Sequence, residues 1–160
     1  MSRISHPFEP LYDHESRILI LGSFPSVVSR EQNFYYANKT NRFWKVMEKL
    51  FLEEISDRRE FCHRRHIALW DVIASCSIRG SSDASITDVI PNDIASLIHQ
   101  TDIHTVFTTG NTASRLYRKY IHLETEHIAL PSTSAANASM RLDDLVRAYQ
   151  EVYEKSRTEN

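Results

Sequence analysis

The chain is short of several things, and each shortage excludes something. Its 160 residues include only three glycines, five prolines and two cysteines. Two cysteines, Cys62 and Cys76, cannot build a disulfide framework, a CxxC metal or redox pair, or four-thiolate iron–sulfur ligation. No apolar run approaches the roughly 18 residues that would span a bilayer. The stretch from Met1 to Pro10 lacks the apolar core of a secretory signal, so the cytosol is the expected compartment. There is no surplus of positive charge either: 19 Lys and Arg stand against 21 Asp and Glu, a net charge of -2. A globally basic nucleic-acid binder is excluded, and any such site must be a local patch. The eight histidines form no HExxH spacing, so no metal or other cofactor is expected.

What is present is an ordinary globular composition, 41% hydrophobic and 25% charged. No repeat, low-complexity tract or linker divides it, so one domain is expected over residues 1–160, with a core from about 17 to 154. Four short apolar segments read as strands: Arg17 to Leu21, His66 to Val72, Thr105 to Thr108 and His127 to Leu130. They are rich in Ile, Leu and Val without strict alternation, the pattern of strands buried on both faces of a parallel sheet. Apolar residues at helical spacing lie between and after them. These are Phe43, Met47, Leu50 and Phe51; Ile94, Leu97 and Ile98; Ala113, Leu116, Tyr117 and Tyr120; and Leu142, Leu145, Val146, Tyr149 and Val152. The order predicts a three-layer α/β/α sandwich around a central, mainly parallel four-stranded sheet.

Such sheets hold ligands beyond the carboxyl ends of their strands. Here those places read Gly22-Ser23-Phe24-Pro25-Ser26, then Asp71 with Ser75 to Asp83, then Thr109-Gly110-Asn111, then Pro131 to Asn137. Two of the three glycines fall at these junctions, where a chain turns sharply or approaches something closely. After Ser26 a long irregular loop is expected, carrying Phe34, Tyr35 and Tyr36 beside Lys39, Arg42 and Lys45. Aromatics beside cations suit a surface that stacks a base and neutralises phosphates, although such clusters are more often simply packing. Arg58, Arg59, Arg64 and Arg65 read as a solvated helix face.

Four segments in order, GSFPS, YYANKTNRFWK, IALWDVIASCSIRGSSD and LPSTSAAN, resemble the uracil-DNA glycosylase superfamily. Within it they are most similar to the hypoxanthine-DNA (deoxyinosine) glycosylase branch. The resemblance spans roughly Ile18 to Met140 and implies the same sandwich fold. It also implies hydrolysis of the N-glycosidic bond of a deaminated base flipped out of DNA, leaving an abasic site, by a monofunctional, metal-free enzyme expected to be a monomer. The competing expectations are a non-catalytic nucleic-acid or nucleotide-binding module of the same fold, a uracil- or xanthine-directed glycosylase, and a hydrolase of free nucleosides.

Residue by residue, the resemblance places Phe24 where many members carry a water-orienting Asp or Asn. The water then falls to Asn41, whose carboxamide oxygen would accept its hydrogen bond, with Asn38 as the alternative. Asn41 equally suits a helix N-cap. Gly22, Ser23, Phe24, Pro25, Tyr36, Phe43 and Asp71 are the implied base pocket. Ser26, Arg42, Lys45, Arg79, Ser132, Thr133, Ser134 and Asn137 are the implied phosphate contacts. Met140, or the Ala135-Ala136 tip, would be an apolar wedge in the duplex. Leu130-Pro131 stands where many members have a His, so that assistance to the leaving base is not expected. Asp71 and Asp83 suit either a general base or a structural role.

Overall fold

A computed structural model describes residues 3–159. Its central sheet is built from β2 (Ile18–Gly22), β3 (Ile67–Asp71), β6 (Thr105–Thr109) and β7 (Glu126–Leu130), in spatial order β3-β2-β6-β7. All three pairings are parallel. The expected strands are therefore present, with boundaries within one residue. The central strand β2 is buried at every position, which is why its sequence is a continuous apolar run rather than an alternation.

Successive β2 side chains go to opposite layers. Ile18 and Ile20 join Ile67, Leu69 and Phe107 on one face of the sheet. That core packs under α2 (Phe43–Phe51), α3 (Arg58–Arg64), α6 (Leu142–Ala148) and α7 (Gln150–Ser156). Leu19 and Leu21 join Ala68 and Val106 on the other face, against α4 (Ile94–His99) and α5 (Asn111–Tyr120). The last apolar periodicity, which predicts one helix, is divided at Tyr149 into α6 and α7.

Two further departures from the expected layout bear on function. The loop after Gly22 contains a short helix, α1 (Val27–Gln32), capped by Ser26 and closed by Asn33 in the left-handed region. The segment expected as a loop from Ser75 to Asp83 is instead extended. β4 (Ile73–Arg79) and β5 (Ser82–Pro91) form an antiparallel pair, and β1 (Arg3–Ser5) adds to its edge. Register shifts interrupt the β4–β5 ladder, so its apolar residues do not alternate cleanly and the segment carries no strand signature. This small sheet brings the N-terminal segment beside the end of β3. No helix among the described residues is long and apolar enough to cross a membrane.

Candidate active site

The site starts from the pairing of two neighbouring strand ends, the central β2 and the edge strand β3. Gly22 lies opposite Asp71 in the β2–β3 register, and the chain beyond is tied down by Val72 N–H to Gly22 O at 2.9 Å and Ile73 N–H to Ser23 O at 3.1 Å. The Asn92 amide donates to the carbonyls of Asp71 and Ile73, bracing the same corner. A Cβ on Gly22 would stand 2.5 Å from Asp71 Oδ1. Glycine is required here by that close approach, whereas Gly110, at φ 93°, is required by its backbone conformation.

Asp71 is 5% exposed. Its Oδ2 lies 2.7 Å from His6 Nε2, and His6 Nδ1 lies 2.8 Å from the Phe8 carbonyl. His6 arrives from the end of β1, 65 residues away in sequence. Nothing in its sequence neighbourhood marks it as functional. Asp71 Oδ1 has no hydrogen-bond partner among the described residues and faces a cavity of about 210 Å³.

The cavity opens at the carboxyl rim of the sheet. Its wall contains Gly22, Ser23, Phe24, Pro25, Ser26, Tyr36, Asn38, Asn41, Asp71, Ser132, Thr133 and Ser134, twelve of the expected site residues. Asp83 and Thr109 join them. Asp83 projects from the β4–β5 hairpin and accepts a hydrogen bond from Ser23 Oγ at 2.9 Å. Desolvation raises its carboxyl above the ordinary value; the Ser23 hydroxyl pulls it back and the charge of Asp71 pushes it up again. Burial likewise raises the Tyr36 hydroxyl, with Asp71 adding to the shift, so Tyr36 faces the cavity as a phenol.

Six expected site residues lie elsewhere. Phe43 is fully buried and stacks behind Tyr36, ring centroids 3.9 Å apart; it backs the wall rather than forming it. Arg42 does not face a phosphate site. Its guanidinium donates to the carbonyls of Met140, Ser134 and Asn137, clamping the loop that follows β7. Asn137 also serves that loop, donating to Ser132 O. Met140 is partly buried against the core rather than standing free as a wedge, while Ala135 and Ala136 are exposed, as are Ala138 and Ser139 of the same loop. Arg79 stands exposed at the end of β4, and Lys45 is exposed on α2 outside the cavity.

Asn41 combines the two roles weighed for it, with its atoms divided between them. Its Oδ1 accepts from Phe43 N–H at 2.9 Å, at the start of α2, and from Thr133 Oγ–H at 2.8 Å. Both lone pairs of the carboxamide oxygen are thereby engaged. The group left for the cavity is Nδ2, a donor, not the acceptor expected from sequence. Thr133 is 2% exposed and spends its hydroxyl on this bond, so it too is no phosphate contact. Asn38 Oδ1 accepts from the Thr40 N–H and hydroxyl, a local turn that fixes the rim.

Beside the cavity a second hollow is lined by Asn38, Lys39, Asn41, Trp44, Lys45 and Arg58, among others. The four arginines expected on one solvated face divide here. Arg64 and Arg65 pair with Glu53, and Arg64 also with Glu60. Arg58 instead lies over the Trp44 ring at 5.0 Å and Arg59 over Phe34 at 5.1 Å. Lys39, Lys45, Arg58 and Arg59 make no ion pair among the described residues; Glu48 lines the same hollow and its charge acts on Arg58, so the strip from α3 to the cavity mouth is net positive.

Comparison with known proteins agrees with this fold. The sequence matches the uracil DNA glycosylase superfamily over residues 9–154. It is 32% identical over 141 residues to a hypoxanthine DNA glycosylase of Methanosarcina acetivorans, covering 84% of this chain and 89% of that protein. It is 35% identical over 86 residues to a hypoxanthine DNA glycosylase of Methanosarcina barkeri, covering 51% and 54% of the two chains. The solution NMR structure of a candidate uracil DNA glycosylase from M. acetivorans superposes with a TM-score of 0.73 at 29% identity, covering 91% of this chain and 96% of that one. A four-stranded parallel sheet, a cavity at its carboxyl rim and a sequence match over most of the chain converge: this chain belongs to the uracil DNA glycosylase superfamily.

Proposed function

We propose that the protein is a monofunctional DNA glycosylase that releases hypoxanthine from deoxyinosine in DNA, leaving an abasic site for repair. The observation that carries this reading is the cavity of about 210 Å³ enclosed by an aromatic ring, a phenol, an amide and a carboxylate, with an unpaired basic strip at its mouth. A flipped base fits such a hollow; extruding it costs a few kcal/mol, recovered through stacking and edge contacts. Phe24 supplies the stacking face. Lys39, Lys45, Arg58 and Arg59 neutralise the flanking phosphates, as a local patch on an acidic chain must. The hydroxyl protons of Ser132 and Ser134, whose oxygens accept from loop N–H groups, are available to phosphate oxygens near the flipped nucleotide, contacts that position without specifying sequence. Ser26 spends its hydroxyl on Ser29 as the α1 cap.

The chemistry needs a cationic sugar, a departing anionic base and one water. No lysine lines the cavity among the described residues, so attack falls to water rather than to an amine. Asn41 Nδ2 holds that water by donating to its oxygen, leaving a lone pair for the anomeric carbon. The proton the water sheds as that bond forms passes to the anionic base, giving free hypoxanthine and the abasic hydroxyl. So electrophilic a carbon needs a placed nucleophile more than a strongly activated one. The carboxylate of Asp83 offsets the sugar's developing positive charge, and Tyr36 remains protonated as a donor toward the departing base.

The test is release of hypoxanthine from a labelled deoxyinosine oligonucleotide, read as a shortened product after alkali. No product overturns the proposal, and product from uracil or xanthine DNA alone redirects it. Free inosine should not compete. Asn41→Asp still accepts both hydrogen bonds at Oδ1, so the fold persists while the donor is lost. Its single-turnover rate should fall about a hundredfold or more, the scale of losing one aimed donor. A rate near wild type would return the role to the oxygen.

A further inference from the structure

We infer that His6 is a specificity-positioning residue: by holding Oδ2 of Asp71, it aims Oδ1 as an acceptor that reads an N–H on the edge of the flipped base. The inference rests on the cavity being a base pocket and adds a residue that no motif contains.

His6 Nε2 lies 2.7 Å from Asp71 Oδ2, a contact that needs a proton between them. His6 Nδ1 faces only Phe8, 2.8 Å from its carbonyl and 3.5 Å from its N–H. Whichever tautomer the ring takes, the shared proton lies on the Oδ2 side of the carboxyl. Oδ1, on the cavity side, is then an acceptor and not a donor.

The surroundings hold that arrangement in place. The His6 side chain is 5% exposed and is packed edge-on by Phe8 and Phe24, at 4.6 and 6.0 Å, with Tyr35 at 6.2 Å. Its own backbone N–H is fixed to Ala74 O at 2.7 Å. Phe24 therefore touches both the cavity and the ring that sets Asp71.

The consequence for base choice follows from what deamination does. Adenine and cytosine present a bare ring nitrogen on their pairing edge; hypoxanthine and uracil present an N–H at the same position. Flipped bases are read on that edge. An acceptor without a proton bonds the deaminated form and opposes the lone pair of the undamaged one. A carboxylic acid free to rotate its proton onto Oδ1 would welcome either. A carboxyl not held at Oδ2 turns, and its acceptor no longer points at that edge. The contact with His6 prevents both.

The test compares release of hypoxanthine with release of unsubstituted purine, whose N1 is bare, from otherwise identical oligonucleotides. His6→Phe keeps a ring among Phe8, Phe24 and Tyr35 and removes both ring nitrogens. His6→Gln retains a donor toward Oδ2. The hypoxanthine-over-purine ratio of single-turnover rates should fall about tenfold or more in His6→Phe, because a site built around a hydrogen bond discriminates strongly against the analogue lacking it. His6→Gln should hold the ratio within about threefold of wild type, one donor being enough to engage Oδ2. An unchanged ratio in His6→Phe, whatever its absolute rates, overturns the inference, and so does a His6→Gln variant as relaxed as His6→Phe. A wild-type protein inactive on deoxyinosine would instead overturn the proposed function.

Discussion

At the floor of the cavity a carboxylate oxygen faces open space, whereas around the rim the polar groups are mostly occupied with one another. Gly22, Asp71 and His6 come from two sheets and leave Asp71 Oδ1 without a protein partner. Asn38, Asn41, Arg42, Thr133 and Asn137 come from loops and spend most of their hydrogen bonds on loop backbone or on each other. The difference teaches that residue type alone does not distinguish a group that meets ligand from one that shapes the place where ligand sits. Loops must satisfy their own backbone, and a rim of Asn, Thr and Arg is first a means of doing so. The floor has its backbone satisfied by strand pairing, so its side chains are left for chemistry.

The comparison breaks most sharply at Gly22. An added methyl would meet Asp71 Oδ1 at 2.5 Å, and the carboxylate must move because the β2–β3 register fixes both backbones. Gly22→Ala should lower hypoxanthine release about a hundredfold. The overpacking should cost about 1–3 kcal/mol, so the protein still folds. Single-turnover rates together with a melting curve check it. Near-normal activity would mean that the floor is not where the base is read.

A smaller effect is expected at the rim. Arg42→Ala removes the donors that clamp the carbonyls of Ser134, Asn137 and Met140. These carbonyls can turn to water, so the stability loss should be about 1–3 kcal/mol. The signature should be faster amide hydrogen exchange over residues 132–140 and about a tenfold loss of activity through a loosened Asn41–Thr133 contact, since activity is sensitive to small misplacements. A change in DNA affinity across salt concentrations, with exchange unaltered, would return Arg42 to the phosphate contacts.

How far each region could be read from sequence follows from the same contrast. The four parallel strands were legible because burial on both faces writes an uninterrupted apolar run, as in Ile18 to Leu21. β4 and β5 were not, because bulges break the alternation of a strand pair rich in Ser and Asp. Gly22, Phe24 and Asp71 were legible as site residues since they sit where strands of such a sheet end. Tyr36 and Phe43 both read as pocket aromatics, but only packing decides which ring faces the cavity and which stacks behind it. Asn41 was legible as a residue and misread as an atom: its oxygen is claimed by Phe43 N–H and by Thr133, a residue 92 positions away. His6 was invisible for the same reason, its meaning lying wholly in a contact 65 residues distant.

The weakest effect belongs to a polar cluster outside the cavity wall, which calibrates what mutual satisfaction is worth when solvent is present. Glu53 accepts from Arg64 and Arg65, and these hydrogen bonds lower its carboxyl from 4.5 to about 2. A carboxyl lowered on folding stabilises the protein above its unfolded value and loses that contribution as pH falls from about 4.5 toward 2. The Arg64 side chain is 46% exposed, so screening limits the gain to no more than about 1 kcal/mol. Glu53→Gln should therefore lower stability slightly at neutral pH and match wild type near pH 2, as denaturant midpoints across that range would show. A loss as large as that of Arg42→Ala would mean that exposed and part-buried polar clusters hold this fold equally. The rim's self-satisfaction would then say nothing particular about the cavity it surrounds.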